Sequence, residues 1–300
     1  MATAPERRLG ETVGSSPAEG AAEKLAPRCP LCGEAADSLL SLAHTCIWRC
    51  ANPACSLEFA HPQLDEAALR YAYGEHYYPT GDAKPLLAGT PDDVVQQWFC
   101  FAQQRFGPFT GKRLLDYGCG SGVLARAARE IGAQVAGTEP DGVARERLAS
   151  GGFEVFRDLD DLTMTQPAAR FDWIVLWDVI EHLRRPWDDL RALRALLAPG
   201  GRLLVSTPNA RSLKSRLLGA RWDQRQNLTH FHYFNSRSLA ATFRAAGFSN
   251  ATALVAPMRY SHHGMLRHWA QPLLRRCALQ GELMFMASVA ATRNAAAATS

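Results

Sequence analysis

Long apolar runs, a dense basic stripe and internal repeats are all missing from this 300-residue chain. A membrane-spanning helix needs about 20 consecutive apolar residues, and nothing approaches that. The longest runs, such as LMFMASVAA at Leu283–Ala291, suit a core strand instead. The net charge is only +4 and is spread along the chain. That makes nucleic acid an unlikely partner, because its binding usually needs clustered Lys and Arg. The first 27 residues, MATAPERRLGETVGSSPAEGAAEKLAP, have mixed charge and no apolar core of a secretory signal. They read as a flexible tail, and the expected compartment is the cytoplasm. What is present is an ordinary globular mix, 47% hydrophobic and 21% charged, with length for about two domains.

The expected organisation has five parts: a tail (1–27), a cysteine-rich module (28–62), a helical connector or lid (63–112), an α/β domain (113–292) and a short tail (293–300). In the connector, PDDVVQQWFCFAQQRFG predicts a helix stopped by Gly107. From Arg113 onward strand and helix patterns alternate. RLLDY, QVAGTE, FEVF, FDWIVLW and RLLVST predict strands; SGVLARAAREIG, DGVARERLAS and WDDLRALRALLA predict helices. Asp141 is the expected cap of the second helix, and Pro199-Gly200-Gly201 the stop of the third. Further on, SRSLAATFRAAGF predicts a helix, then ATALVA and ELMFMASVA strands. FDWIVLW is apolar nearly throughout, as in a sheet covered on both faces. The fold class is α/β: a doubly wound, mostly parallel sheet.

LLDYGCGSG, Leu114–Gly122, runs a buried strand into a turn containing Gly118, Gly120 and Gly122. The dinucleotide fingerprint G-x-G-x-x-G needs a third glycine where this chain has Val123, so that match fails. Asp116 is more telling. A carboxylate at the strand tip repels pyrophosphate and attracts a cation. Two unit charges about 4 Å apart interact by roughly 4 kcal/mol at an effective dielectric of about 20. S-adenosylmethionine carries a sulfonium and an ammonium and no phosphate. Glu139 ends the second strand, 23 residues after Asp116, where an acid accepts hydrogen bonds from ribose hydroxyls.

LLDYGCGSGVLA, VAGTEPD, FDWIVLWDVIEHL and LLAPGGRLLVSTPN occur in that order. They resemble successive motifs of the class I S-adenosylmethionine-dependent methyltransferases, and within these the small-molecule enzymes of the quinone-biosynthesis-like group. The resemblance covers roughly 113–248. It implies a seven-stranded Rossmann-like sheet. It also implies that Asp116, Gly118, Gly120 and Gly122 line the methionine end of the cofactor. By the same resemblance Glu139 holds the ribose, Pro140 lies beside the adenine and Asp158 reaches the adenine amino group, with Asp160 and Asp161 as neighbouring alternatives. Trp177 and Asp178 would stand near the methyl group.

Methyl transfer is an in-line displacement on an already activated methyl, so positioning is the main requirement. A hydroxyl nucleophile can also need a base, and histidine is the natural one. His182, in VIEHL, follows the fourth strand at the carboxyl edge where ligands bind. His230 and His232, in NLTHFHYF, follow the fifth. Each fits a structural role equally well. HFHYF resembles a stretch that helps close over the acceptor in this group. Tyr77 and Tyr78 are candidates for a lid or for packing between modules.

Eight cysteines are present, and Cys29, Cys32, Cys46, Cys50 and Cys55 crowd together. Without an export signal, such a cluster points to a metal more than to disulfides. CPLCG brings Cys29 and Cys32 onto one tight turn; RCANPACS offers Cys50 and Cys55, with Cys46, His44 or His61 as possible replacements. Four thiolates make a closed tetrahedral zinc site, structural and not catalytic. The module resembles the zinc-ribbon head that precedes some bacterial methyltransferases.

The expected function is methyl transfer from S-adenosylmethionine to a small-molecule acceptor (a sugar, a quinone-like compound or a secondary metabolite), with oxygen as the favoured atom and a sugar carbon or a nitrogen left open. Two alternatives remain open at this stage. One is an RNA methyltransferase gripping its substrate with the zinc module and the basic stretch RSLKSRLLGARWDQR. The other is a non-catalytic protein that keeps the fold. Oligomeric state is not readable.

Overall fold

The computed structural model describes residues 26–72, 92–254 and 280–290. The Tyr77–Tyr78 pair and nearly all of both expected tails lie outside the described residues. Two sheets organise the chain. The larger has seven strands: β4 (Arg113–Tyr117), β5 (Gln134–Thr138), β6 (Glu154–Phe156), β7 (Phe171–Trp177), β8 (Leu197–Pro208), β10 (Thr252–Ala253) and β11 (Glu282–Ser288). Their spatial order is β10-β11-β8-β7-β4-β5-β6. The pairs β4–β5, β5–β6, β4–β7 and β7–β8 are parallel, and β11 runs antiparallel between β8 and β10. From β4 the chain winds outward to β6, then returns to β7 on the other flank of β4. The order therefore reverses between β4 and β7, the switch point beyond whose carboxyl ends sheets of this kind take their ligands.

Strand alternation sends successive side chains to opposite faces. Leu115, Ile174, Leu176, Leu203 and Val205 face one side, packed against Leu190 and Leu193 of α6 (Pro186–Ala195) and Leu239 and Phe243 of α9 (Ser236–Ala245). Leu114, Trp173, Val175 and Leu204 face the other, under α2 (Asp92–Phe106) and α3 (Val123–Glu130). Trp98 of α2 lies edge-on to Trp173 and Trp177, with centroids 6.1 and 6.0 Å away. The helix expected in the connector is thus one of the layers covering the sheet.

Local signals hold where they are strong. Asp141 caps α4 (Gly142–Ser150), accepting from the Ala144 N–H at 2.8 Å. Asn235 caps α9 in a capping box with Ser238. Two expectations need correction. Pro199-Gly200-Gly201 does not simply break the chain after α6: β8 already begins at Leu197 and carries these residues as an irregularity. Leu197 pairs with Phe171, so tertiary pairing overrides the breaker residues. Helix α5 (Leu159–Thr165) was not foreseen, because its seven residues are too few to show a period.

The second sheet contains β1 (Ala36–Ser41), β2 (Cys46–Cys50), β3 (Glu58–His61) and β9 (His232–Tyr233), in that spatial order and antiparallel throughout. Its first three strands come from the cysteine-rich stretch; β9 comes from the segment after β8. The seam is closed by Glu58, 1% exposed, which accepts from Arg225 at 2.9 Å and from Arg49 at 2.7 Å.

Gly201 sits where β7 and β8 backbones come closest. A methyl placed there would lie 2.8 Å from the Phe171 carbonyl oxygen and 2.7 Å from that of Ala198. Backbone atoms of a central sheet cannot swing away. Gly201→Ala is expected to destabilise the fold by about 1–3 kcal/mol, read as a lower urea midpoint at unchanged m-value.

Candidate functional site

At the tip of β4, Asp116 is 3% exposed and its Oδ2 has no hydrogen-bond partner among the described residues. Burial, with the Glu139 carboxylate nearby, pushes its pKa up to about 7. The turn that follows is built on left-handed glycines: Gly118 has φ +77°, Gly120 +51° and Gly122 +80°. A side chain at Gly118 would come within 2.8 Å of Val179 Cγ2. The turn's amides are largely spent. Gly118 and Cys119 N–H donate to Thr138 O, Gly120 N–H to Glu139 Oε2 at 2.8 Å, and Gly122 N–H to Cys119 O. A phosphate cradle needs such donors free.

Glu139 directly follows β5 and is buried. Its other oxygen accepts from the Asp141 N–H at 2.9 Å, and burial raises its pKa. Each oxygen keeps a further lone pair for a ligand hydroxyl. Pro140 beside it is exposed. Asp158 stands after β6 as the cap of α5. Its oxygens accept from the Asp161 N–H at 2.9 Å and from Arg157 Nε at 2.7 Å. The Asp161 N–H in particular holds its pKa down. Asp158 therefore already has two partners, unlike Asp116. Trp177 closes β7, its indole N–H without a partner among the described residues. Asp178 follows with φ +53°, a conformation uncommon for a residue with a side chain.

Across the crevice lies a second group that sequence reasoning saw only in part. Glu181, on the short turn Ile180–His182, accepts from Thr207 Oγ1 at 2.8 Å; its Oε1 has no partner among the described residues. Burial, then the Asp178 carboxylate, pushes Glu181 up to about 8. Glu282 of β11 takes a hydrogen bond from Ser206, and burial and Asp178 raise its pKa strongly. His182 Nδ1 lies 2.9 Å from Thr229 Oγ1, and its ring meets that of His230 edge-on at 4.5 Å. Burial pushes His182 down to about 4, and burial plus His182 takes His230 well below its ordinary value. Burial thus favours the neutral form of both imidazoles. His232, also buried, points its Nε2 at the Arg184 carbonyl, 3.3 Å away. Glu181, His182 and His230 each offer a ligand atom within 4.8 Å of the others, a donor set able to take a divalent cation. The one sequence signal for Glu181 is its place directly before His182; nothing local points to Glu282.

The other cluster is in the small sheet. The sulfurs of Cys29, Cys32, Cys50 and Cys55 all lie within 4.8 Å of one another, Cys29–Cys55 at 3.8 Å and Cys32–Cys50 at 3.4 Å. Metal–sulfur bonds of about 2.3 Å in a tetrahedron put sulfurs about 3.8 Å apart. Cys46 sits instead 3.9 Å from Ser41 Oγ, apart from this group. The Cys55 thiol pushes Cys29 down to about 5, and burial pushes Cys50 up to about 12. The basic stretch 211–225 is partly consumed internally: Arg225 is 4% exposed on Glu58, and Lys214 pairs with Asp223 at 2.9 Å. Among the described residues no helix is long and apolar enough to cross a membrane.

Sheet order, glycine turn and acid-tipped strands define a doubly wound α/β protein with a ligand crevice at its switch point, of the class I S-adenosylmethionine-dependent methyltransferase type. The chain belongs to the family described as methyltransferase domain, whose model matches residues 96–253. It is 32% identical over 209 residues to a ubiquinone biosynthesis O-methyltransferase of Ruegeria pomeroyi, covering 63% of this chain and 84% of that one. The same name attaches to a Cereibacter sphaeroides protein, 32% identical over 164 residues, covering 50% of this chain and 66% of its own. The chain thus spans just under two thirds of several such relatives. In fold it is similar to the Burkholderia thailandensis 1,6-didemethyltoxoflavin-N1-methyltransferase, with TM-score 0.51 and 16% identity over 85% of this chain and 99% of that one.

Asp116 also sets a pH dependence. The folded chain holds its proton at about 7, against 3.8 for the ordinary group, so its contribution to stability falls as pH rises from about 4 to about 7. Asp116→Asn has no such proton to lose. Urea titrations of the ligand-free protein should show the wild type losing up to about 4 kcal/mol relative to the variant across that window; parallel curves would contradict this burial.

Proposed function

We propose that this protein transfers a methyl group from S-adenosylmethionine to a hydroxyl of a small-molecule acceptor. The observation that supports this most is Asp116, a buried carboxyl with an oxygen that has no partner among the described residues, beside a turn whose amides are largely used. Such a site suits a cation and has little to offer a phosphate. The donor supplies a methyl carbon already activated by sulfonium. The chain's part is to hold and orient. Asp116 with Gly118, Gly120 and Gly122 receives the charged methionine end, and Gly118 leaves the room that a side chain would take from Val179. Glu139 accepts from the ribose hydroxyls through its remaining lone pairs. Pro140 flanks the adenine, and Asp158 faces its amino group. Trp177 and Asp178 border the reacting carbon at the end of β7 and keep water from it.

His182 and His230 face the acceptor. His230 is buried and His182 half-buried, and in their neutral forms they are able to take a hydrogen bond from the acceptor hydroxyl and orient its oxygen for attack. The names of the relatives favour oxygen as the methylated atom and a ring-hydroxylated quinone precursor as the acceptor type. The internal use of Arg225 and Lys214 speaks against an RNA substrate. Thiolate chemistry in the small sheet suits a reducing compartment, the cytoplasm. The four sulfurs of Cys29, Cys32, Cys50 and Cys55 suit a structural zinc ion, because a full set of thiolates leaves no position for a substrate.

A tritiated methyl-transfer assay against cell fractions should put label into small metabolites; counts mainly in RNA would overturn the reading. Glu139→Ala is expected to weaken binding of S-adenosylhomocysteine by roughly 1–3 kcal/mol in calorimetry, and unchanged affinity would remove the ribose contact. Elemental analysis of the purified protein should give about one zinc per chain; folded, metal-free protein would dismiss the ion.

A further inference from the structure

Strand β9 lies in the sequence between β8 and α9, yet it is paired with β3 of the cysteine-rich sheet, Tyr233 opposite Glu58 and His232 opposite Phe59. The joint extends beyond the ladder. Ala60 N–H donates to Phe231 O at 2.9 Å. Asn235 Nδ2 donates to Ser56 O at 2.9 Å. Arg225 donates to Glu58 at 2.9 Å, with both side chains buried. The segment 225–235 is thus tied to the arm that runs from Cys50 to His61 as well as to the main domain, where Ala210 N–H donates to Phe234 O at 2.7 Å.

Its other side meets the crevice. Phe231 N–H donates to Glu181 O at 2.9 Å, and His230 packs on His182. A cavity of about 50 Å³ lies on the seam, with His44, Gln63 and Leu64 on one side and Leu228 and His230 on the other. A two-residue strand has no stability of its own, and in the small sheet β9 has β3 as its ladder partner. A unit of about 35 residues does not hold itself together on a core alone; it needs a metal or a neighbour. The donor side is built differently. Its turn is tied to Thr138 and Glu139, and its strands to each other, with no hydrogen bond from residues 28–61 among those found there.

We propose that the four-cysteine module is the positioning element of the acceptor side: with its sulfurs clamped by an ion, β3 holds β9 in register, and β9 holds His230 and His232 against the crevice. The module also supplies the outer wall of the seam cavity. It is neither a separate grip for a distant substrate nor a passive appendage. Loss of the ion releases segment 229–235 and leaves the donor crevice standing. This inference rests on the reading of the site as methyl transfer with a zinc ion in the small sheet.

The test uses the full chain as purified. Zinc is removed with a chelator and then restored, while three quantities are followed: amide hydrogen exchange, the imidazole resonances of His182 and His230, and binding of S-adenosylhomocysteine. Stripping is expected to speed exchange across 229–235 at least tenfold and to move both imidazole resonances. Restored zinc should reverse both changes. Affinity for S-adenosylhomocysteine should stay within about threefold. Glu58→Gln keeps all four cysteines; it should speed the same exchange with the metal still bound, and no increase would break the route through β3. Unchanged exchange across 229–235 in stripped protein overturns the proposal. Collapse of S-adenosylhomocysteine binding on stripping overturns it too, because the two sides would then not be separable. Failure of the zinc-loaded protein to bind S-adenosylhomocysteine at all would instead sink the methyl-transfer reading, with the exchange result still standing.

Discussion

A carboxylate buried at the end of a strand must find a proton, a partner or a ligand. Among the described residues Asp116 has no hydrogen-bond partner for one of its oxygens, and its neighbour Glu139 adds a second buried acid. Leaving two acids so placed is costly in a low-dielectric crevice, and the protein tolerates it at the switch point of its main sheet. The glycine turn explains why the charge is not relieved locally. Its amides bond to Thr138, Glu139 and Cys119, so the turn is rigid before any ligand arrives. A rigid, acid-lined crevice is pre-organised for a cation.

The acids after β7 and on β11 meet the same constraint. There, Asp178, Glu181 and Glu282 crowd together from β7 and β11, and burial drives Glu181 and Glu282 toward their neutral forms. The adjacent imidazoles are driven toward neutrality by the same desolvation. The result is a polar surface on which burial favours the neutral forms, as it also does at Asp116 and Glu139. The two groups also hang on different frames: the main sheet carries Asp116 and Glu139, and the seam between the sheets carries His230 and His232.

Much of the chain was legible without coordinates because its signals are local. RLLDY, FDWIVLW and QVAGT show their pattern within a few residues, and each became a strand. Asp116 and the glycines could be placed because a strand tip and a tight turn are short-range features. The cysteine knuckle at Cys29–Gly33 is of the same kind. By contrast, α5 was too short to show a period, and β8 absorbed a Pro-Gly-Gly that read as a break. The histidines were visible as residues, but the convergence of His182 and His230 with Glu181, and the bond of His182 to Thr229, were not.

Sequence by itself determined the α/β alternation, the acid at the first strand tip, the spacing of the cysteines and the family to which the chain belongs. Those properties rest on backbone geometry and on neighbours a few residues apart, where period and composition carry the information. Tertiary structure alone decided that His232 lies opposite Phe59, that Glu58 is neutralised by Arg225 across 167 positions, and that Glu282 joins the acids behind β7. Pairings over such distances depend on the crossing of whole strands and on which charges are left without water. No local pattern encodes either.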